Sequence, residues 1–162
     1  MSEHYDDLQQ SYGRCLRQKN FIGRFYELFL ASHPAIPPMF VNTDFQQQQM
    51  ALRRGISVAI SHAAGSGLVT RTVNEMADVH ARNGRTPVPP HLYGFWIDSL
   101  LATIRELDPQ VNEALLKRWR EAMSIVVKTF SSHYEKILAQ LSFRKMPESA
   151  SIAGNCGNGF RP

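Results

Sequence analysis

Apolar side chains recur at helical spacing through nearly all of this 162-residue chain, and hardly any segment alternates as a strand would. The longest stripe lies in the last third of the chain and, as a single helix, would span most of a domain. Its members are Leu116, Trp119, Met123, Val126, Val127, Phe130, Tyr134, Ile137, Leu138 and Leu141. A chain with this pattern is restricted to an all-α fold.

Prolines and glycines divide the pattern into shorter helices. The segment 33–40 contains three prolines, which stop the helix that begins near Asn20 and turn the chain before Phe40. The next helix has Thr43 or Asp44 as its cap and ends at 65–67, where two glycines flank a serine.

Two further boundaries follow in the second half of the chain. Three prolines in 87–90 precede a helix from about Pro90 to Leu107. Asp108-Pro109 then predicts the start of the last helix, with the aspartate as its cap and the proline at its first position.

Length and composition predict one domain with a hydrophobic core, residues 1–141, followed by a flexible tail, residues 142–162. The tail loses the helical period and is rich in glycine towards its end. A second catalytic domain does not fit in the 162 residues.

Charge and apolar runs exclude several classes of partner. The net charge is +4, and the 18 basic residues are spread among 14 acidic ones, so we expect no nucleic-acid binding. No apolar run is long enough to cross a bilayer, and the polar first residues do not resemble a signal peptide. Cys15 and Cys156 lie at opposite ends, which disfavours a disulfide framework. We therefore expect a cytoplasmic protein that does not enter membranes.

One histidine lies on a mostly apolar helical stripe. Val69, Val73, Met76 and His80 share one face, and Gly84 with the prolines beyond it ends the helix within a turn of the histidine. An imidazole on an aliphatic wall can bind a metal centre from one side. The alternative is a hydrogen-bonded histidine of the core.

The inward-facing positions are unusually rich in aromatic and polar-tipped side chains. They are Tyr26, Phe40, Phe45, Gln48, His80, Tyr93 and Trp96. A simple helical bundle would instead fill its centre with aliphatic residues, whereas hydroxyls and ring nitrogens need polar partners. A flat aromatic cofactor with a central metal would supply them, so a globin-type sandwich competes with a plain bundle.

Between residues 18 and 138 the sequence resembles the globin family. The motifs that carry the resemblance are Phe25-Tyr26, the corner residue Phe40, the pair Gln48 and Leu52, His80, and the segment 93–104. Residues 79–84 are most similar to the proximal segment of bacterial globin-coupled sensors. The segment 93–104 and the Tyr/Gln/Leu set resemble bacterial flavohaemoglobins and single-domain haemoglobins.

The resemblance implies a haem b whose iron is bound by His80. Phe40 would pack on the porphyrin, and the other side chains expected to contact the cofactor are Phe45, Leu52, Arg82, Tyr93 and Trp96, with Arg82 at a propionate. Tyr93, or a backbone carbonyl near Val79 and Met76, would accept from the second ring nitrogen of the histidine. The glutamate that flavohaemoglobins place beside this tyrosine would fall near Tyr134 and Glu135, out of register.

The distal side of the haem would be formed by Tyr26, Gln48 and Leu52. A phenol and a carboxamide are suitable hydrogen-bond donors to bound dioxygen, and the leucine would restrict the ligand space. Gln48 lies in a run of four glutamines, so a slip of one residue would select Gln49.

Three functions are compatible with these residues. The first is reversible binding of dioxygen, or of carbon monoxide or nitric oxide, by a sensor module or a stand-alone globin. The second is a nitric oxide dioxygenase served by a separate reductase, because the chain has no dinucleotide-binding motif. The third is a haem-free helical interaction module. A signalling partner and a homodimer formed through the last two helices both remain open.

Overall fold

The computed structural model of the chain describes residues 5–83 and 87–145. These residues form six α-helices and no strand, which confirms the predicted all-α class. The helices are α1 (Asp6–Leu16), α2 (Phe21–Ser32), α3 (Phe45–Ala63), α4 (Thr70–Asp78), α5 (Tyr93–Leu107) and α6 (Glu113–Arg144). Short 3-10 turns cover Pro37–Phe40, Gly67–Val69 and Pro90–Leu92, and a π-helical turn covers Val79–Asn83.

The helices pack as a sandwich around one hydrophobic core. α2 packs against α5, and α6 packs against α3, α4 and α5. Each of the six helices supplies fully buried side chains to the centre, among them Leu8, Phe25, Ile56, Val73, Leu100 and Trp119. The stripe of α6 is buried in its first part, up to Phe130, apart from the half-buried Val127, and its later members are only half-buried.

The first turn of α3 is capped by Asp44. Its carboxylate accepts hydrogen bonds from the backbone N–H groups of Gln46 at 3.0 Å and Gln47 at 3.3 Å. Of the two caps left open by the sequence, the structure therefore has the aspartate. This cap fixes where the helix that carries Gln48 and Leu52 begins.

The predicted start of the last helix is wrong. α6 begins at Glu113, and its cap is Asn112, whose side chain accepts from the backbone N–H of Leu115 at 2.8 Å. Asp108 and Pro109 lie in the turn before it. The Asp-Pro pattern does mark the break between two helices, but the aspartate has a different role.

The Asp108 carboxylate is turned into the protein, because hydrogen-bond donors from distant segments meet there. It accepts from Ser11 Oγ at 2.6 Å, from Arg14 Nε at 2.6 Å and from the backbone N–H of Gln110 at 2.9 Å. Trp119 Nε1 in turn donates to Ser11 Oγ at 3.0 Å. The network ties α1 to the corner between α5 and α6.

This network predicts how stability depends on pH. Burial acts to raise the pKa of Asp108, but the bonds from Arg14, Ser11 and Gln110 outweigh it and hold the pKa below its ordinary value. The stabilisation is therefore present above the unfolded pKa of about 3.9 and is lost as the pH falls through the folded pKa.

We expect the midpoint temperature of thermal unfolding to decrease as the pH is lowered below about 4. The decrease should be less steep in Asp108→Asn, which lacks the titrating group. The matched control is Asp98→Asn, at an exposed aspartate paired with Arg120. Equal slopes in the wild type and Asp108→Asn would contradict the assignment.

The lengths of the described helices bear on membrane crossing and on the end of the domain. None of the helices in the part of the chain that the structure describes is both long and apolar enough to span a membrane. α6 continues to Arg144, three residues past the predicted domain boundary at 141, so the beginning of the predicted tail is helical. The predicted tail from residue 146 onward lies outside the described residues.

Candidate functional site

His80 lies in the π-helical turn, Val79–Asn83, that follows α4. Such turns are rare and are concentrated at functional sites. The imidazole is half-buried, and its Nδ1 lies 2.7 Å from the backbone oxygen of Met76. The backbone N–H of Val88 donates to the oxygen of His80 at 2.8 Å and holds Val88 against the turn.

The bond to Met76 determines the chemical state of the imidazole. A carbonyl oxygen accepts but does not donate, so Nδ1 carries the proton and Nε2 has a free lone pair. Burial lowers the pKa of His80, although the Met76 carbonyl acts in the opposite direction, and the ring is therefore neutral at neutral pH. A neutral imidazole with a free Nε2 is the form that binds a haem iron. The sequence left Tyr93 and a backbone carbonyl open as this acceptor, and the carbonyl of Met76 occupies the position.

Phe130 of α6 forms the wall behind His80. The two rings lie 4.9 Å apart at an angle of 36°, and Tyr93 meets the same phenylalanine edge-on at 6.0 Å. Tyr93 is buried, and burial raises the pKa of its phenol, which therefore stays protonated. Glu135 is on the exposed side of α6, so this chain does not place that carboxylate beside Tyr93.

A second wall is formed by aromatic side chains around Tyr26 of α2. The tyrosine is 5% exposed and meets Phe45 at 5.5 Å and Phe40 at 6.0 Å, both edge-on. Phe40 and Phe45 are stacked on each other, with centroids 6.0 Å apart. The three rings come from α2, the 3-10 turn Pro37–Phe40 and the start of α3, so the proline-rich corner brings them together.

The Tyr26 hydroxyl is only weakly engaged within the protein. It lies 3.5 Å from the backbone oxygen of Gln48, at the outer limit for a hydrogen bond. Burial raises the pKa of Tyr26 to about 12, so the group is a hydrogen-bond donor at neutral pH. A donor held this loosely can turn towards another acceptor.

α3 contributes the remaining residues of this wall. Gln48 and Leu52 are half-buried and share a face with the buried Ile56. Gln49 is also half-buried, whereas Gln46 and Gln47 are exposed. The two glutamines that the sequence left open, Gln48 and Gln49, are thus both half-buried.

α5 connects the two walls. Tyr93 at its start belongs to the wall of His80, and Trp96, one turn later, meets Phe25 of α2 edge-on at 6.0 Å. Trp96 thus packs in the contact between α2 and α5. The backbone of Arg82 lies in the π-helical turn, but its side chain, predicted to reach a propionate, lies outside the described residues.

The residues on both walls suit a haem. Phe40, Phe45, Leu52 and Met76 are apolar and pack against the core, yet each keeps part of its surface uncovered. No group of three or more His, Cys, Asp or Glu side chains within residues 5–83 and 87–145 could hold a bare metal ion. A haem iron, however, needs one axial ligand from the protein, and His80 can provide it.

An all-α sandwich with one ligand-competent histidine and an aromatic wall that carries a tyrosine has the architecture of a globin. A protein from Pseudomonas aeruginosa PAO1, whose crystal structure is described as structurally highly homologous to a human haemoglobin, superposes with a TM-score of 0.76. The two sequences are 32% identical, and the match covers 82% of this chain and 98% of that chain. No family model and no curated protein matches the sequence. The chain belongs to the globin family, as its sequence predicted.

Proposed function

We propose that this globin binds haem b through His80 and reversibly binds dioxygen at the ferrous iron, as an oxygen sensor module or a stand-alone oxygen-binding globin. The observation that carries the proposal is the 2.7 Å contact between His80 Nδ1 and the Met76 carbonyl, which leaves Nε2 free to bind iron. Carbon monoxide and nitric oxide would be ligands of the same site. Cys15 is a buried free thiol, which suits the reducing cytoplasm.

Each wall has its own part in this function. Haem, when bound, supplies the iron that holds the gas. His80 would hold the iron through its Nε2, and the Met76 carbonyl fixes the orientation and tautomer of its ring. Phe40 and Phe45 provide apolar surface for the porphyrin and keep water away. On the distal side, Leu52 limits the space for the ligand.

Tyr26 and Gln48 would stabilise the gas ligand. The outer atom of dioxygen carries partial negative charge when the gas is held at ferrous iron, so a protonated phenol is a suitable donor to it. In a dry pocket such a bond contributes about 1 to 3 kcal/mol. The bond of Tyr26 to the Gln48 carbonyl is long, and breaking it to reach the ligand costs little.

A nitric oxide dioxygenase with a separate reductase is the weaker alternative. Flavohaemoglobins, to which the sequence is similar, pair their proximal tyrosine with a glutamate. Glu135 of this chain is exposed on α6, so the described residues do not supply that partner to Tyr93. A less electron-rich imidazole favours holding the gas over activating it.

Replacing Tyr26 with phenylalanine tests the distal assignment. Loss of a bond of about 1 to 3 kcal/mol should speed dissociation of dioxygen roughly 5- to 150-fold. Carbon monoxide carries less charge on its outer atom and should be affected much less. Flash photolysis and stopped-flow mixing measure both rates. Tyr93→Phe, at the tyrosine beside Phe130, is the matched control and should change the dioxygen rate little. An unchanged rate in Tyr26→Phe with an intact haem spectrum would remove Tyr26 from this role.

The function itself is tested by oxygen titration of the reduced, haem-loaded protein. We expect a spectrum that converts to an oxygenated form as oxygen is raised, and that returns when oxygen is removed. Immediate and irreversible conversion to the ferric spectrum would contradict reversible binding. Rapid consumption of nitric oxide with a supplied reductase would favour the dioxygenase instead.

A further inference from the structure

Charge is unevenly distributed along this chain. No aspartate or glutamate occurs between Asp7 and Glu27, or between Asp44 and Glu75. The second interval includes the whole of α3, whose charged side chains apart from a histidine are two arginines. The acidic residues are concentrated in the other segments, which include the first turn of α1, so the surface formed by the later part of α1 and by α3 is expected to be basic.

The two acid-poor segments meet in space. Tyr12 Oη on α1 donates to the backbone oxygen of Arg53 on α3 at 2.6 Å. Arg17 and Lys19 follow the C-terminal end of α1 and belong to the same acid-poor segment as Tyr12. These two residues, with Arg53, Arg54 and Met50, make up what we term the basic face.

The cations of the basic face take part in no ion pair between described residues, unlike most of the other arginines with described side chains, of which Arg144 alone is also outside these pairs. Arginines with a carboxylate partner within the described residues are Arg14, Arg24, Arg71, Arg105, Arg118 and Arg120. Arg17, Lys19, Arg53 and Arg54 are exposed and take part in none of the ion pairs between described residues. Their charge is therefore free to attract an external anion or acidic surface.

An exposed apolar side chain lies among these cations. Met50 is 70% exposed and precedes Arg53 and Arg54 by one helical turn, so the three share the outward side of α3. Methionine and arginine are both enriched in protein interfaces, where lysine is depleted. A nucleic acid or a lipid headgroup would favour a denser basic cluster, and the net charge of the whole chain is only +4.

We propose that the basic face is the docking surface for an acidic protein that carries one electron. The electron-transfer role rests on the proposed function, because ferrous iron must be regenerated whenever it oxidises. One electron passes from the reduced carrier to ferric iron, which becomes ferrous as the carrier is oxidised, and no bond is formed or broken. The opposite side of α3 carries Gln48 and Leu52, so the docked carrier is separated from the pocket by about one helix diameter, roughly 10–12 Å.

The probe is a plant-type [2Fe–2S] ferredoxin, a small acidic one-electron carrier. Its binding to the full chain is measured by calorimetry, with and without haem, on either side of an ionic strength of about 0.1 M. We expect binding at low ionic strength that weakens at least about tenfold at high ionic strength. Binding that does not depend on salt, or no binding at low salt, would overturn the proposal.

Charge-reversal variants test whether the basic face is the surface that binds the carrier. R53E/R54E should weaken binding at least about tenfold, whereas K128E/K136E, which changes the same charge at two exposed positions of α6, should have a much smaller effect. Equal losses in both variants would mean that net charge alone matters and would overturn the proposal. Far-ultraviolet circular dichroism checks that both variants fold.

Two further comparisons separate the docking claim from the proposed function. Salt-dependent binding that R53E/R54E removes, in a chain that takes up no haem, would support the surface while the haem function fails. With haem bound, the same variant should slow reduction of the iron by the ferredoxin about tenfold. Phosphatidylglycerol vesicles and duplex DNA are the competing ligands. If either binds more tightly than ferredoxin, and R53E/R54E abolishes that binding too, the basic face belongs to another class of partner and the proposal is overturned.

Discussion

The His80→Ala protein should fail to hold haem in the way the wild type does. Removing the imidazole takes away the iron ligand that we assign to the protein. Loss of a residue that only hydrogen-bonds to a metal ligand typically lowers metal affinity roughly 10–100-fold, so loss of the ligand itself should lower haem affinity by more than that. The Soret band of the reconstituted variant should be weak and displaced, and haem should pass rapidly to a competing apoglobin. Absorption spectroscopy and a haem-transfer assay measure these effects.

Two controls separate ligation from folding. Added imidazole should restore much of the spectrum of His80→Ala if the variant keeps its pocket. His91→Ala, at an exposed histidine of the 3-10 turn before α5, should behave as the wild type does. A His80→Ala protein with normal ferrous and carbon monoxide spectra would contradict the ligand assignment.

Asp108→Ala should produce the largest loss of stability among the substitutions considered. The Asp108 side chain is fully buried and that of Arg14 is 14% exposed, so the variant leaves a guanidinium and the Ser11 hydroxyl without their acceptor. Breaking a buried pair by removing one partner costs about 3–5 kcal/mol in the free energy of unfolding. Urea denaturation of the haem-free protein measures this loss without a contribution from haem binding.

The exposed pair of Arg120 and Asp98 is the matched comparison. Both side chains are more than half exposed, and such pairs contribute at most about 1 kcal/mol. Asp98→Ala should therefore change the free energy of unfolding only slightly. Equal losses in Asp98→Ala and Asp108→Ala would show that the buried network does not stabilise the corner between α5 and α6.

The helices could be predicted because the sequence patterns that mark them lie within short segments of the chain. Apolar spacing set the faces of α3 and α6, and proline or glycine marked most of the breaks. Asp108 was wrongly predicted to cap the last helix, because an Asp-Pro pair is compatible both with a helix cap and with a turn that directs the aspartate into the protein. Its partner Ser11 lies 97 residues away in the sequence, and only the tertiary fold brings the two together.

The part of the site that depends on local sequence patterns could likewise be predicted. The stripe that includes Val73 and Met76 placed His80 at the end of its helix, but it could not show that this end is a π-helical turn. Nor could it choose between Tyr93 and the Met76 carbonyl, because that choice depends on the orientation of the ring. Phe130 was noted only as part of a core stripe, although it lies against His80.

Titration of the purified haem-free protein with haemin tests most directly the central claim, that this globin binds haem. We expect saturation at one haem per chain, with an intense Soret band that shifts on reduction and shifts again under carbon monoxide. No Soret band beyond that of free haemin, in a protein that is folded by circular dichroism, would contradict haem binding and favour a haem-free helical module.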